Sequence, residues 1–320
     1  MCPVSVIIPT HNSAHVIGQA IESVLAQTYR DFEIIVVDDA SADNTAEVAS
    51  RYGDRVRYLR RETNGGAGAA RNDGIRASAG EFICFLDADD LYLPGRLQAA
   101  VAFLDSSPEF GAVYTDCEVR GPDGQVMVGS LIQASGCRKR TTTWRDIACR
   151  EPMHTSSMTV RRNCLHRVGL FDERMRRAQD TELWLRFSYR CPVGQAPQVL
   201  SVFRRRETTW SSTVIARRAI SVWTVVVEWL DGSCEADLKF AHSRLARAKW
   251  LLALSLRSQG EDPTLAARRE AVSHCLRHRL LLPLVAGSIA WHLPGLLLPA
   301  RGALGRVSRL GLRLREGLGR

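Results

Sequence analysis

Short apolar runs alternate with amphipathic stretches through the first 86 residues, and that alternation restricts the fold more than any single motif. VSVIIPT (4 to 10), FEIIVVDD (32 to 39), RVRYLR (55 to 60) and EFICFL (81 to 86) read as strands. Between the first two, residues 15 to 26 carry apolar side chains at 16, 17, 20, 21, 24 and 25, which predicts a helix. Residues 42 to 52 predict a second helix, and the Gly-rich stretch NGGAGAARNDG (64 to 74) leads into or contains a third. Strand and helix in alternation build a parallel sheet with right-handed crossovers, an α/β architecture. Parallel strands end on a common edge, where ligands bind in such sheets. Three strand ends here are polar: Thr10 to Asn12, Asp38-Asp39, and Asp87 to Asp90.

The last of these is the sharpest. FLDADD places Asp87, Asp89 and Asp90 within four positions at the end of an apolar strand. Neighbouring carboxylates in a partly desolvated site repel unless a cation or hydrogen-bond donors offset them. The alternative is a solvated turn that stops the strand. A dinucleotide fold requires GxGxxG directly after the first strand, where this chain has PTHNSAHVIG. GxxxxGK[ST] is absent as well, which removes the P-loop nucleotide triphosphatases. The remaining reading is a nucleotide whose base meets the first two strand ends. Its phosphates would be screened by Mg²⁺ or Mn²⁺ on Asp89, aided by Arg71.

VSVIIPTHN, the strand ending VVDDASAD, GAGAARN, FLDADD, and then GLFDE followed by QDTELWLRF occur in one order over residues 4 to about 215. Together they resemble the inverting glycosyltransferases of family 2. The resemblance implies the GT-A fold (Rossmann-like, a mostly parallel sheet flanked by helices), a nucleoside diphosphate sugar donor and a divalent metal. It implies that Asp39 meets the nucleobase edge, that Pro9 and His11 form the wall around the base, that Arg71 approaches the nucleotide, and that Asp87 approaches the ribose or sugar. Asp89 would bind the metal. Asp180 would be the general base, because inversion by single displacement needs a group that deprotonates the acceptor hydroxyl. The chain departs from the family's common residues at His11, where Tyr is usual, and at Gln179, where Glu is usual. Without the resemblance, Asp180 reads as a helix N-cap, and Asp38 and Asp90 as solvated strand-end or capping residues. The pairs Arg161-Arg162 and Arg176-Arg177 read either as attractors of a phosphorylated acceptor or as solvated faces. His154 lies on the acceptor side.

The formal net charge is +9, and 17 basic against 8 acidic residues from position 216 onward place all of the excess there. This asymmetry divides the chain into a catalytic region, 1 to 215, and a basic helical region, 216 to 320. In the second, Ala236 to Ser258 and Pro263 to Arg279 predict a helical hairpin around GED. LLLPLVAGSIAWHLPGLLLPA (280 to 300) has no charged residue, but its three prolines disfavour a straight spanning helix. With the basic segment that follows, it reads either as an interfacial membrane anchor or as a helical cap on the enzyme. Nine scattered cysteines without a CxxC pair fit a reducing compartment and exclude a disulfide framework or zinc site, and no signal peptide is visible. The expectation is a cytoplasmic enzyme, peripheral on the inner face of the membrane. It would transfer sugar from a nucleoside diphosphate sugar, with uracil the expected base, to a sugar or lipid-linked saccharide of a surface polysaccharide. Two other classes share some of these features: a nucleotidyltransferase, and a non-catalytic nucleotide-sugar-binding protein. Nucleic acid is not an expected partner, since the basic charge comes with no accompanying motif.

Overall fold

The computed structural model describes residues 3–137, 139–150, 153–205 and 212–258, in two compact units divided between Trp210 and Ser211. In the first unit the chain runs through β1 (Val4–Thr10), α1 (Ile17–Leu25), β2 (Phe32–Asp38), α2 (Thr45–Ser50), β3 (Arg57–Arg60), α3 (Ala67–Ala77) and β4 (Phe82–Phe85). It continues through β5 (Leu91–Tyr92), α4 (Arg96–Ser106), β6 (Ala112–Arg120), β7 (Val126–Val128), α5 (Leu131–Ser135), β8 (Thr141–Thr142) and α6 (Trp144–Arg150). Then follow β9 (Met158–Arg161), α7 (Arg162–Val168), α8 (Gln179–Arg190) and β10 (Val193–Arg204). One sheet collects the strands in the order β3-β2-β1-β4-β9-β6-β10-β5, with β7 beside β6 and β8 beside β10.

The β1, β2, β3 and β4 strands are mutually parallel, as their alternation with helices requires. All seven residues of β1 are buried, five of them apolar and two, Ser5 and Thr10, polar. On one face α1 buries Ile17, Ala20, Ile21 and Val24, spaced 3, 4 and 7 apart, against the core that includes Val6, Ile8, Val36 and Leu97. On the other face α3 lies so close that a Cβ on Gly74 would stand 2.5 Å from Ile7 Cγ2. The stretch 64 to 74 thus contains the start of a helix, as expected, and Gly74 lies where that helix touches the sheet.

Sequence alternation does not reveal what happens beyond β4. There β9 enters antiparallel between β4 and β6, and β10 then runs parallel to β6. The fully buried Arg96 fastens this crossing. It donates to the Met158 carbonyl at 2.7 Å and to Thr159 Oγ1, and its guanidinium lies 4.6 Å from the Tyr92 ring centroid. Arg161 and Arg162 likewise have structural partners, donating to the carbonyls of Leu104 and Gly80.

In the second unit α9 (Ser212–Leu230) and α10 (Glu235–Ser258) form a helical hairpin, with the Trp223 and Phe240 rings edge to face at 6.1 Å. Its turn is at 231 to 234, and α10 covers the first helix, 236 to 258, of the hairpin expected around GED. The expected helix 263 to 279 and the apolar and basic segments of 280 to 320 lie outside the described residues. The described cysteines form no disulfide.

Candidate active site

The C-terminal ends of β1, β2 and β4 meet on one edge, and hydrogen bonds knit their polar residues together. The Asn12 amide donates to Ser41 Oγ at 2.9 Å, and the Ala42 amide donates to Asn12 Oδ1 at 2.8 Å. His11 is exposed above this junction; its Nδ1 donates to the Asp39 carbonyl at 2.9 Å while Nε2 accepts from Asn12 Nδ2 at 3.1 Å, which selects the tautomer. Pro9 is buried one turn of the pleat below, in register with Val37. The chain leaves β1 and β2 through Asn12 and Ala40, both with positive φ, a conformation that costs about 1–3 kcal/mol for a non-glycine residue.

Asp38 and Asp39 point to different partners. Asp38 is fully buried and accepts from the Tyr58 hydroxyl and from the Ser41 amide at 2.7 Å, so it is a structural strand end and not a solvated one. Asp39 accepts from the Gly65 amide (2.8 Å), the Gly66 amide (2.7 Å) and Arg61 Nη1 (2.6 Å). Burial works against its charge, but the Gly65 amide, Arg61 and the Gly66 amide together hold its carboxyl below the usual range.

The acidic turn after β4 is held from two distant segments. Ser156 Oγ accepts from the Asp87 amide at 3.1 Å and donates to Asp90 Oδ2 at 2.5 Å. From β10, the Arg204 amide donates to Asp90 Oδ1 at 3.1 Å and Arg204 Nε donates to the Asp89 carbonyl. Asp90 is therefore buried, against its reading as a solvated or capping residue. Burial pushes its carboxyl up to about 7, Asp87 and Asp89 adding to the rise while His154 and Ser156 oppose it. His154 stands with Nδ1 3.3 Å from Asp90 Oδ2, its ring stacked on Phe203 at 4.4 Å. One ligand atom from each of Asp87, Asp90 and His154 lies within 4.8 Å of the others. Asp89, the position read as the metal ligand, is half-buried on the same turn but is not one of these three.

Arg71 and Asp180 close the site from the far side. Arg71, almost wholly buried, donates from Nη2 to Asp87 Oδ1 at 2.5 Å and lies over the Phe171 ring at 5.3 Å. Burial opposes its charge, but Asp87, Asp180 and Asp90 outweigh the burial and raise its pKa. Asp180 occupies the second position of α8; the N-cap is Ala178, with positive φ and no side-chain cap, so the capping reading of Asp180 does not hold. Its Oδ2 accepts from Thr155 Oγ1 at 3.2 Å, and that oxygen accepts in turn from Trp184 Nε1 at 3.2 Å. The turn from His154 to Ser157 thus touches both the acidic cluster and the Asp180 helix. Sequence reasoning overlooked Ser156 and Arg204; the TSS run just ahead of β9 was the visible signal for the first, and nothing local marked the second.

Among the described residues of the first unit, Thr10, Arg71, Arg96, Gln179 and Arg204 carry buried side-chain polar atoms without a partner. All but Arg96 border this edge. Such atoms are uncommon in folded proteins and call for an explanation.

The profile described as Glycosyl transferase family 2 matches residues 5–166. An uncharacterized glycosyltransferase of Rickettsia typhi is 34% identical over 189 residues, 58% of this chain and 58% of the relative. One of Rickettsia felis is 34% identical over 200 residues, 60% of this chain and 32% of the relative, so the chain spans less than two thirds of the length of either. The UDP-Glc:alpha-D-GlcNAc-diphosphoundecaprenol beta-1,3-glucosyltransferase WfgD of Escherichia coli is 39% identical over 102 residues, 32% of this chain and 40% of WfgD. Among solved structures, S. aureus TarS 1-349 matches with TM-score 0.61 and 21% identity over 86% of this chain and 80% of that one. The mannosyltransferase PcManGT from Pyrobaculum calidifontis, in complex with GDP-Man and Mn²⁺, matches with TM-score 0.61 and 22% identity over 90% and 85%. These neighbours share the GT-A fold, the mostly parallel α/β sheet expected from the sequence.

Proposed function

The chain belongs to glycosyl transferase family 2, and from that membership we propose that it binds a nucleoside diphosphate sugar at the strand-end edge and transfers the sugar, with inversion, to a hydroxyl of a saccharide or lipid-linked saccharide. The observation that carries this reading is the buried, unpartnered Nε and Nη1 of Arg71 beside the carboxylates of the turn after β4. A site with spare cationic donors next to clustered carboxylates suits an anion and a cation bound together.

Each residue then has a physical task. Asp39 already uses three of its roughly four acceptor positions, which leaves one for a single N–H of a base such as uracil. Pro9 and His11 would flank that base, while Asp87, read from the sequence as a ribose or sugar contact, already pairs with Arg71 and is one of the three groups that could hold an ion. Arg71 would donate to the diphosphate and stabilise the charge that builds on the leaving group. Asp180, oriented by Thr155, would accept the proton of the attacking hydroxyl.

Two carboxylates and one imidazole within 4.8 Å form a donor set that fits a divalent cation, Mn²⁺ more readily than Mg²⁺ because of the nitrogen. Asp87, Asp90 and His154 would hold the ion, with Asp89 as a further carboxylate on the same turn. Bound there, it would neutralise diphosphate oxygens. The names of TarS complexes with UDP and UDP-GlcNAc, and of WfgD, support a uridine donor, while that of PcManGT supports Mn²⁺. WfgD's name also supports a lipid-linked acceptor. No helix among the described residues is long and apolar enough to cross a membrane. Attachment to an anionic, cytoplasmic membrane face therefore rests on the charge and apolar content of residues 280–320.

Thermal stabilisation and hydrolysis of UDP-glucose, UDP-N-acetylglucosamine, UDP-galactose and GDP-mannose, each with Mn²⁺ or with EDTA, test the proposal. Metal-dependent stabilisation by at least one is expected. Stabilisation by none of the four refutes it.

A further inference from the structure

Gln179 is buried, yet its Oε1 has no hydrogen-bond partner. A buried carboxamide oxygen left unmatched is costly, and a donor that arrives with a ligand would relieve that cost. Its surroundings say which kind. Gln179 packs onto α3 at Gly68, where a Cβ would stand 3.0 Å from Gln179 Cγ and 3.5 Å from Phe171 Cβ. Arg71 lies three residues further on the same helix face, with its guanidinium over the Phe171 ring at 5.3 Å. An acceptor without a donor (Gln179 Oε1), beside Asp180 in the chain, and donors without an acceptor (Arg71 Nε and Nη1) therefore occur on side chains gathered around one stretch of α3, Gly68 to Arg71. An anion would satisfy only the arginine. A hydroxyl both donates and accepts, so hydroxyls of a sugar satisfy both sides.

We infer that Gln179 is a specificity-determining residue whose side-chain oxygen accepts a hydrogen bond from a hydroxyl of the transferred sugar. This rests on the nucleotide-sugar reading of the site and assigns to it a contact that the bare nucleotide lacks. Phe171 closes the apolar side of the same subsite, so water competes poorly for the hydroxyl. The α8 turn at Ala178, with φ of +58°, brings Gln179 and Asp180 to the site as consecutive residues, one toward the sugar and the other toward the acceptor.

Calorimetry with Mn²⁺ tests the inference on wild type, Gln179→Leu and Gln179→Glu, using UDP, GDP, UDP-glucose, UDP-N-acetylglucosamine, UDP-galactose and GDP-mannose as probes. The quantity to compare is the affinity of the best nucleotide sugar divided by that of its own bare nucleotide. Leucine removes the acceptor at similar size and should lower this ratio about tenfold or more while bare nucleotide affinity is kept. Glutamate keeps an acceptor oxygen and should hold the ratio within about threefold of wild type. Melting temperatures show that each variant is folded. A ratio unchanged in Gln179→Leu, or a loss shared equally by sugar and bare nucleotide, overturns the inference and leaves Gln179 as a packing residue. A wild-type protein that binds none of the six probes refutes the nucleotide-sugar reading as well.

Discussion

Replacing Asp180 by asparagine separates a general base from a structural carboxylate, because the structure bounds what each role contributes. The structural share is small. Ala178, not Asp180, caps α8, and Asp180 makes two acceptor contacts, with the Thr181 amide at 2.8 Å and Thr155 Oγ1 at 3.2 Å. Asparagine keeps one acceptor oxygen, so the loss is mainly the favourable interaction of a first-turn carboxylate with the helix dipole, about 0.3–1 kcal/mol. In a domain of this size that lowers Tm by about 2–4 °C at most. The catalytic share is much larger: a positioned base contributes about 10² to 10⁴ in rate, or about 3–5 kcal/mol in the barrier. Donor affinity should move little, since the diphosphate would be held by Arg71 and the turn after β4, and Asp180 acts mainly in the transition state. The assay is sugar transfer at saturating donor, with nucleotide affinity by calorimetry and melting temperature on the same preparation. The expected result is a kcat reduced at least a hundredfold, affinity within threefold and a nearly unchanged melting temperature. A kcat within threefold of wild type, together with a lower melting temperature, would refute the assignment.

Three further outcomes are expected. Asp89→Asn and His154→Ala should each weaken Mn²⁺ binding at least about tenfold, the size of effect seen even for residues that merely support ligands; whichever variant titrates like wild type is not a ligand. Asp39 should make the protein acid-sensitive. Its carboxyl is depressed in the folded state, so the stability it contributes is present above the unfolded value of about 4 and is lost as pH falls below it through the folded value. Urea midpoints between pH 6 and pH 3 should therefore fall less steeply in Asp39→Asn than in wild type, and parallel curves would contradict this. Ending the chain after Arg279 should abolish co-sedimentation with anionic vesicles, and salt should weaken that of the full chain; equal binding by both forms would locate any membrane contact elsewhere.

The first four strands were legible because each parallel strand is an apolar run that must stop where the sheet stops. The β1 strand has the limits its sequence suggests, and polar residues mark the common edge. Legibility failed where tertiary contact overrides local preference. Glycines left the start of the helix in residues 64 to 74 without a definite limit, whereas Gly68 and Gly74 let α3 approach Gln179 and Ile7. The α9 helix was legible only as part of a helical region from 216 onward, without its own bounds, because its Val-rich middle is as suited to strands as to helices. The antiparallel entry of β9 depends on Arg96 reaching residues more than sixty positions away, and no local pattern encodes that.

The carboxylate cluster shows the same division between local and distant causes. Sequence alone states that Asp87, Asp89 and Asp90 crowd a strand end; it does not state which of them is buried or what holds the turn. In the structure the three have different environments. Asp87 is paired with Arg71, Asp90 is buried against Ser156 and His154, and the backbone carbonyl of Asp89 is held by Arg204. Repulsion within the turn is thus partly relieved by Arg71 and by the Ser156 and Arg204 donors, yet Asp90 remains pushed up to about 7 first by burial and then by Asp87 and Asp89. A carboxyl under that pressure gains most from a nearby cation, whereas Arg71 gains most from an anion near its free nitrogens. On the proposed reading the same edge takes a cation and an anion at once, and each would stabilise the other when both are bound. Metal and nucleotide should bind with positive coupling, each raising the affinity of the other by the same factor, as linkage between two binding equilibria requires.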